Sequence, residues 1–544
     1  MNCGQSLVLL LIMHQIGVLI ACKNNVVETQ MGKVRGVPEM SIEGREFCSF
    51  LGIPYVKAPI GDLRFKDPQP MEPWTETREA MFFGPMCPQI LSSSRMVVGN
   101  EDCLYLNIYT KSADSAAQQP VMIWIHGGDF ARGSGDSDIY GPDYFMRKDV
   151  VLVTINYRLG VLGFLSLDDE VISGNFGLKD QVMALKWVKE NIANFGGDPN
   201  KITIFGQDAG ASSVHYLTIS PMSKGLFDKA IIQSGSVYSP WARTMSNANI
   251  SQMVYQQFGM GSSDHKEILD FLRKVYYSDL IHVAQEVSNF EGSLFLPSMD
   301  AKAENPFLAE DILEAADKGS DVPILLGYNN QEGLKSSQNQ YGMSYPGFFN
   351  NIERSLPRDS LDYIKLRHSM TTEDVIRFYF DEQMNNRYNL GDIWGDISYV
   401  EGVQEIARQR VLKGQNPTYL YRYDFNRDFP FAQSSGKFSG IGAAHGDELS
   451  NLFRAYGREK ISMQTIMPGT LSYRLMEQMI EMWYNFAKDG NPTTSMSDSI
   501  KSFWHPVKDA NSLQYLSLDT DVHMDATTSL QQRYATYKLS STQP

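Results

Sequence analysis

The sequence predicts an α/β protein: a central, mostly parallel sheet with helices on both faces. Two observations carry that prediction. Short apolar runs alternate with stretches of helical spacing, and strands that alternate with helices connect as parallel crossovers. The runs also lack the polar alternation of a half-exposed strand, so both faces of the sheet are expected to be covered.

The elements follow in order. Residues 121–125 form a short apolar run ending in His126-Gly127-Gly128, and residues 150–156 form a second, β-branched run. Both read as buried strands. Within 177–194, Leu178, Val182, Leu185, Trp187, Val188 and Ile192 fall on one broad helical face. Gly196-Gly197-Asp198-Pro199 stops that helix. Residues 202–205 are a third strand, 211–217 a helical piece and 229–233 a fourth strand. Later strands are expected over 322–326 and 419–423, with helical pieces over 374–380 and 403–412. No Pro/Gly/Ser linker separates these segments, so a single domain is expected over 23–544.

Composition narrows the function. The chain has 544 residues, 42% apolar and 20% charged, which excludes a disordered chain, a coiled coil and a collagen. Lys plus Arg is 48 against 63 for Asp plus Glu, a net charge of −15. That balance disfavours nucleic acid or an anionic membrane as partner.

Residues 7–21 form an apolar run interrupted by His14, Gln15 and Gly17. It is too short to span ~30 Å of hydrocarbon. It ends at Ala21, before Cys22 and Lys23, and reads as a secretory signal peptide over 1–22. An uncleaved anchor and a lipidation box at Leu19-Ile20-Ala21-Cys22 are the alternatives. No other segment has transmembrane length, so no membrane span is expected and the protein is read as secreted. Cys48, Cys87 and Cys103 lie beyond the signal. An extracellular setting favours disulfides. Cys87 with Cys103 is the local choice, and Cys48 is then free, or paired with Cys22 if that residue survives processing. Asn249-Ile250-Ser251 is a glycosylation sequon. No H-x-x-x-H pair or Cys/His cluster has ligand spacing, so no metal or other cofactor is expected.

The strand over 202–205 runs into Gly206-Gln207-Asp208-Ala209-Gly210 and then a helix. A strand, a G-x-[residue]-x-G turn and a helix form an elbow that thrusts its central side chain out over the sheet. The helix N-terminus points its positive dipole end at that site. A serine in the centre would be a nucleophile; here the centre is Asp208.

Around this turn stand Phe50-Leu51-Gly52-Ile53-Pro54-Tyr55, Glu101-Asp102-Cys103-Leu104-Tyr105-Leu106-Asn107, Asn156-Tyr157-Arg158-Leu159-Gly160, Gly174-Asn175-Phe176-Gly177-Leu178-Lys179-Asp180-Gln181 and Gln233-Ser234-Gly235-Ser236. With these ordered motifs the chain resembles type-B carboxylesterases, the family that includes cholinesterases and insect juvenile hormone esterases. Gln207 resembles the G-Q-S-A-G form of the juvenile hormone esterases. The resemblance implies an α/β-hydrolase fold with a deep gorge, and a Cys87–Cys103 bridge. Glu332, in Asn329-Asn330-Gln331-Glu332-Gly333, matches the family acid. His445, in Gly442-Ala443-Ala444-His445-Gly446-Asp447-Glu448, matches the family base. The oxyanion-hole motif reads His126-Gly127-Gly128-Asp129-Phe130, with Gly128, Asp129 and Ala209 as the implied N–H donors. Trp241, in Pro240-Trp241-Ala242, resembles an acyl-pocket wall, and Phe130 is a candidate to line the gorge. Core packing is an equal alternative for both.

Asp208 changes the expected chemistry. A carboxylate that attacks an ester carbonyl leaves again more readily than an alkoxide, because its conjugate acid has a pKa near ~4. The Asp129 carboxylate is expected near the developing oxyanion, where two like charges ~4 Å apart repel by about 4 kcal/mol at an effective dielectric near 20. The expectation is a secreted carboxylesterase-family protein whose Ser-His-Glu mechanism is lost. It would bind lipophilic esters or small molecules with little turnover, and a protein partner is the other candidate ligand. Two alternatives remain: residual or altered ester hydrolysis through His445 and Glu332, and an Asp-nucleophile hydrolase of epoxide-hydrolase type. Asp129, Asp208 and Glu332 around one imidazole predict a raised His445 pKa.

Overall fold

The computed structural model describes residues 25–91, 94–291, 295–334, 356, 360–380, 388–426, 442–455, 466–528 and 532–533. The segment over 1–22, read above as a signal peptide, lies outside the described residues.

Eleven strands form the main sheet. In chain order they are β1 (Val37–Met40), β2 (Glu46–Pro54), β3 (Tyr105–Thr110), β4 (Gln119–Ile125), β5 (Val151–Ile155), β6 (Gly197–Gln207), β7 (Lys229–Gln233), β8 (Ile324–Asn329), β9 (Thr418–Tyr423), β10 (Leu513–Leu518) and β11 (His523–Thr527). Their spatial order is β11-β10-β9-β8-β7-β6-β4-β5-β3-β2-β1. From β5 through β4 and β6 to β10 every pairing is parallel; the pairings at both edges are antiparallel.

Alternation along each central strand shows why the sheet is covered twice. In β4, Val121, Ile123 and Ile125 join one core while Met122 and Trp124 join the other. Ala230 and Ile232 oppose Ile231 in β7, and Ile324 and Leu326 oppose Leu325 in β8, in the same way. Side chains two apart share a face, so each strand feeds both cores. Helix α1 (Phe176–Asn191) covers the first face with Leu178, Val182, Leu185 and Val188. Helix α4 (Leu471–Asp489) covers the second with Met476, Met479, Ile480, Trp483 and Phe486. Thr470 caps α4 by accepting from Tyr473 N, and Gly490 ends it in the left-handed conformation at φ 73°. Between them in the chain lie α2 (Ala209–Ile219) and α3 (Glu401–Leu412).

The chain passes β4 on opposite sides with β5 and β6, so the strand order reverses there. Crevices at the carboxyl ends of strands open at such a point. Gly206 pairs with Ile125 and Gln207 with Gln233, which brings the ends of β4, β6 and β7 level. Among the described residues no helix is long and apolar enough to cross a membrane.

Candidate active site

The elbow is built as expected. Asp208 sits between β6 and α2 at φ 58°, ψ −125°, a conformation an L-residue adopts only under constraint. Its N–H donates to Gln233 O (3.0 Å), and its carbonyl accepts from Ser212 N (2.9 Å). The flanking glycines leave no room for a side chain. A Cβ on Gly210 would lie 2.0 Å from Ile125 O, and one on Gly206 would lie 2.5 Å from Gly210 C.

The Asp208 carboxylate bridges two groups. Oδ2 accepts from Gly128 N (2.8 Å) and Asp129 N (3.1 Å), and the Ala209 N–H adds a further backbone donor to the carboxylate. Oδ1 lies 3.4 Å from His445 Nε2. The donors implied for an oxyanion hole are thus brought together and already hold an anion. Burial acts to raise the Asp208 pKa, but His445 and the backbone N–H groups overcome it and hold it at about 2.

His445 and Glu332 meet although 113 residues separate them. The chain following β8 lies beside the chain carrying His445: Gln331 N donates to Ala443 O (2.9 Å), and Asn329 Nδ2 to Ala444 O (2.6 Å). Glu332 Oε2 is 2.6 Å from His445 Nδ1. Its Oε1 accepts from Ser234 Oγ (2.5 Å) and Asn329 N (2.6 Å), so both oxygens are engaged. Burial pulls the His445 pKa down, but Glu332 and Asp208 together raise it to about 10. The imidazole is therefore an imidazolium at neutral pH, as the clustered carboxylates predicted. His445 keeps 19% side-chain exposure against 8% for Asp208 and 0% for Glu332, so the site opens on the histidine side.

The Asp129 N–H donates to Asp208 Oδ2 (3.1 Å), and its half-exposed carboxylate is ion-paired with Arg132, three residues on. Phe130 is fully buried and meets Phe164 edge-on at 5.3 Å between ring centroids, a packing role. Trp241 is half-buried; its Nε1 donates to Ser398 O (2.7 Å), and its ring lies 5.7 Å from that of Tyr399. Tyr399 in turn stacks on His445, with centroids 4.1 Å apart. It belongs to one turn of π-helix, Asp396–Val400, that leads into α3.

Sequence reasoning missed three residues at this site. Tyr399 carries no motif. Gln207, read only as a mark of resemblance, places its amide nitrogen 2.8 Å from His445 Nε2. With the ring doubly protonated, the amide must turn its oxygen there, since an N–H cannot donate to an N–H. Glu448 is fully buried; burial first, and Glu332 second, raise its pKa to about 7, while Asn329 Nδ2 donates to it at 2.6 Å. Its signal was present, three residues beyond the histidine in the quoted motif.

Cys87 and Cys103 are disulfide-bonded. Cys48 is disulfide-bonded too, so it is not free. Asn249 is exposed near the start of a helix over Ala248–Gln257.

Residues 23–537 match the model of the carboxylesterase family. Juvenile hormone esterase of Tribolium castaneum is 35% identical over 86% of this chain and 84% of its own length. Esterase FE4 of Myzus persicae is 35% identical over 93% of this chain and 91% of its own. The crystal structure of juvenile hormone esterase from Manduca sexta, with OTFP covalently attached, superposes with a TM-score of 0.79 at 29% identity. That match covers 95% of this chain and 99% of the other.

Proposed function

The chain belongs to the carboxylesterase family, and on that premise we propose that it is a secreted member that binds lipophilic esters or similar small molecules without the family's serine chemistry. The observation that supports this is the seat of Asp208, with one oxygen on Gly128 N and Asp129 N and the other facing His445. It bears on each step of ester cleavage. An incoming carbonyl oxygen must displace an anion from charge-assisted hydrogen bonds, each worth about 1.5–3 kcal/mol. A carboxylate that adds to the carbonyl is itself the better leaving group. His445, as imidazolium, has no Nε2 lone pair to take a proton from water. Nucleophile, oxyanion hole and base are therefore blocked by one substitution. Residual hydrolysis with His445 as base runs against the same protonation state.

The apolar leader, the Cys87–Cys103 disulfide and the exposed Asn249 in its sequon support an extracellular, glycosylated protein. Half-buried Trp241 and Tyr399 beside His445 supply an aromatic surface for an apolar ligand. The test is equilibrium dialysis of the purified protein with p-nitrophenyl butyrate, followed by mass analysis of the bound fraction. Retention of intact ester is expected. Release of nitrophenolate above an Asp208→Asn control would refute the proposal.

A further inference from the structure

We propose that Arg533 is a positioning residue of the site: through Asp396 it holds the π-turn that lays Tyr399 on His445, so the C-terminal segment regulates the site from outside it. The inference concerns the surroundings of the histidine and stands whether or not an ester binds.

A chain of direct contacts carries it. The helix over Tyr388–Gly395 runs through the π-turn Asp396–Val400 into α3. A π-turn is wider than the α-helix on either side of it and is rare. Contacts outside the helix therefore have to hold it. Its flanks are fixed to the rest of the molecule. A Cβ on Gly395 would lie 2.9 Å from Gly333 N, next to Glu332, and Gln404 Nε2 in α3 donates to Tyr328 Oη (2.9 Å). Between these flanks the turn is held on three sides. Asp396 Oδ2 accepts from Tyr379 Oη (2.7 Å) and from Arg533 Nη2 (2.9 Å). Ser398 O accepts from Trp241 Nε1 (2.7 Å). The Tyr399 ring lies on the His445 ring at 4.1 Å.

Arg533 is the contact that the rest of the turn cannot replace. The Asp396 side chain keeps 15% exposure, and Arg533 is its ion-pair partner among the described residues. A carboxylate taken that far out of water is costly unless paired. The Tyr379 hydroxyl supplies one neutral donor, weaker than a guanidinium. Without Arg533 the Asp396 carboxylate gains by turning toward water, and it takes the turn with it. Tyr399 sits three residues along the same turn. One residue of helix register rotates a side chain by about 100°, so any tightening of the turn toward α spacing carries the ring off the imidazole. A proteolytic cut between β11 and Arg533 would be felt at His445 in this way.

The direction of the effect separates position from charge. The Tyr399 ring stabilises the imidazolium, so losing it lowers the His445 titration midpoint. Charge alone acts the other way: removing a cation favours the imidazolium and raises the midpoint. The test is nitrogen NMR of His445 in the full-length protein. Arg533→Met is expected to lower the midpoint by roughly 0.4–1.5 units, as the loss of one cation–π contact does. Arg533→Lys is expected to keep the midpoint. In a Tyr399→Leu background Arg533→Met is expected to add no further drop, since the ring it positions is gone. Should Arg533→Met not fold, Arg533→Gln, which keeps a donor for Asp396 but no charge, is read in the same way. A midpoint that stays or rises in the folded variant, or an equal drop in the Tyr399→Leu background, would overturn the proposal.

Discussion

At Asp208 one carboxylate fills the oxyanion donors and charges the histidine, and both effects can be read at His445. Its pKa is raised from 6.5 to about 10. Nitrogen NMR is expected to show a doubly protonated ring at pH 8, and Asp208→Asn to lower its titration midpoint. A ring that titrates near or below its ordinary value would contradict this pocket. The linkage has a direction. A group raised on folding stabilises fully below its unfolded pKa, here 6.5, and loses that contribution as pH rises through about 10. Asp208, lowered from 3.8 to about 2, stabilises fully above 3.8 and loses that contribution as pH falls through about 2. The thermal midpoint of the unmodified protein is therefore expected to fall more steeply between pH 7 and 10 than that of Asp208→Asn. Asp208, Glu332 and His445 were legible because each stands inside a local motif. Tyr399 was not, because only the tertiary fold brings its ring onto His445. The ion pair of Asp129 with Arg132 was not legible either: their proximity in sequence was visible but the rotamers that join them were not.

At the scale of elements, the elbow and the π-turn hold the site. Gly210 packs against the end of β4, where an added Cβ would meet Ile125 O at 2.0 Å. Gly210→Ala is expected to cost more than about 3 kcal/mol, visible as lost soluble yield and a lowered thermal midpoint. The π-turn presents Tyr399 to the imidazolium at 4.1 Å. A cation over an aromatic face gains about 0.5–2 kcal/mol. Tyr399→Leu is thus expected to lower the His445 titration midpoint by roughly 0.4–1.5 units. The central strands were legible because they are apolar on both faces: the run read over 229–233 is β7 (Lys229–Gln233) to the residue. The antiparallel strands β2 and β3 were seen only as motifs, since their mixed composition carries no clear period. The π-turn has no sequence pattern of its own.

At the scale of the whole molecule, the sheet sets the ends of β4, β6 and β7 level, and the chains after β8 and before His445 close on them. The Cys87–Cys103 bridge spans 16 residues of sequence. Opening a loop of that length is expected to cost about 3 kcal/mol by loss of chain constraint, so the Cys87→Ser, Cys103→Ser double variant should unfold at lower urea. Fold class and family were legible because their motifs span the chain. The bonded state of Cys48 was left open because a disulfide depends on distance in space. The central claim is that a competent scaffold is silenced at one carboxylate, since Glu332, His445 and the three N–H donors are all in place. The most direct measurement is p-nitrophenyl acetate hydrolysis by Asp208→Ser beside the unmodified chain. The account predicts a gain on the order of a thousandfold or more in the serine variant. Equal rates in the two proteins, whether both fast or both absent, would contradict it.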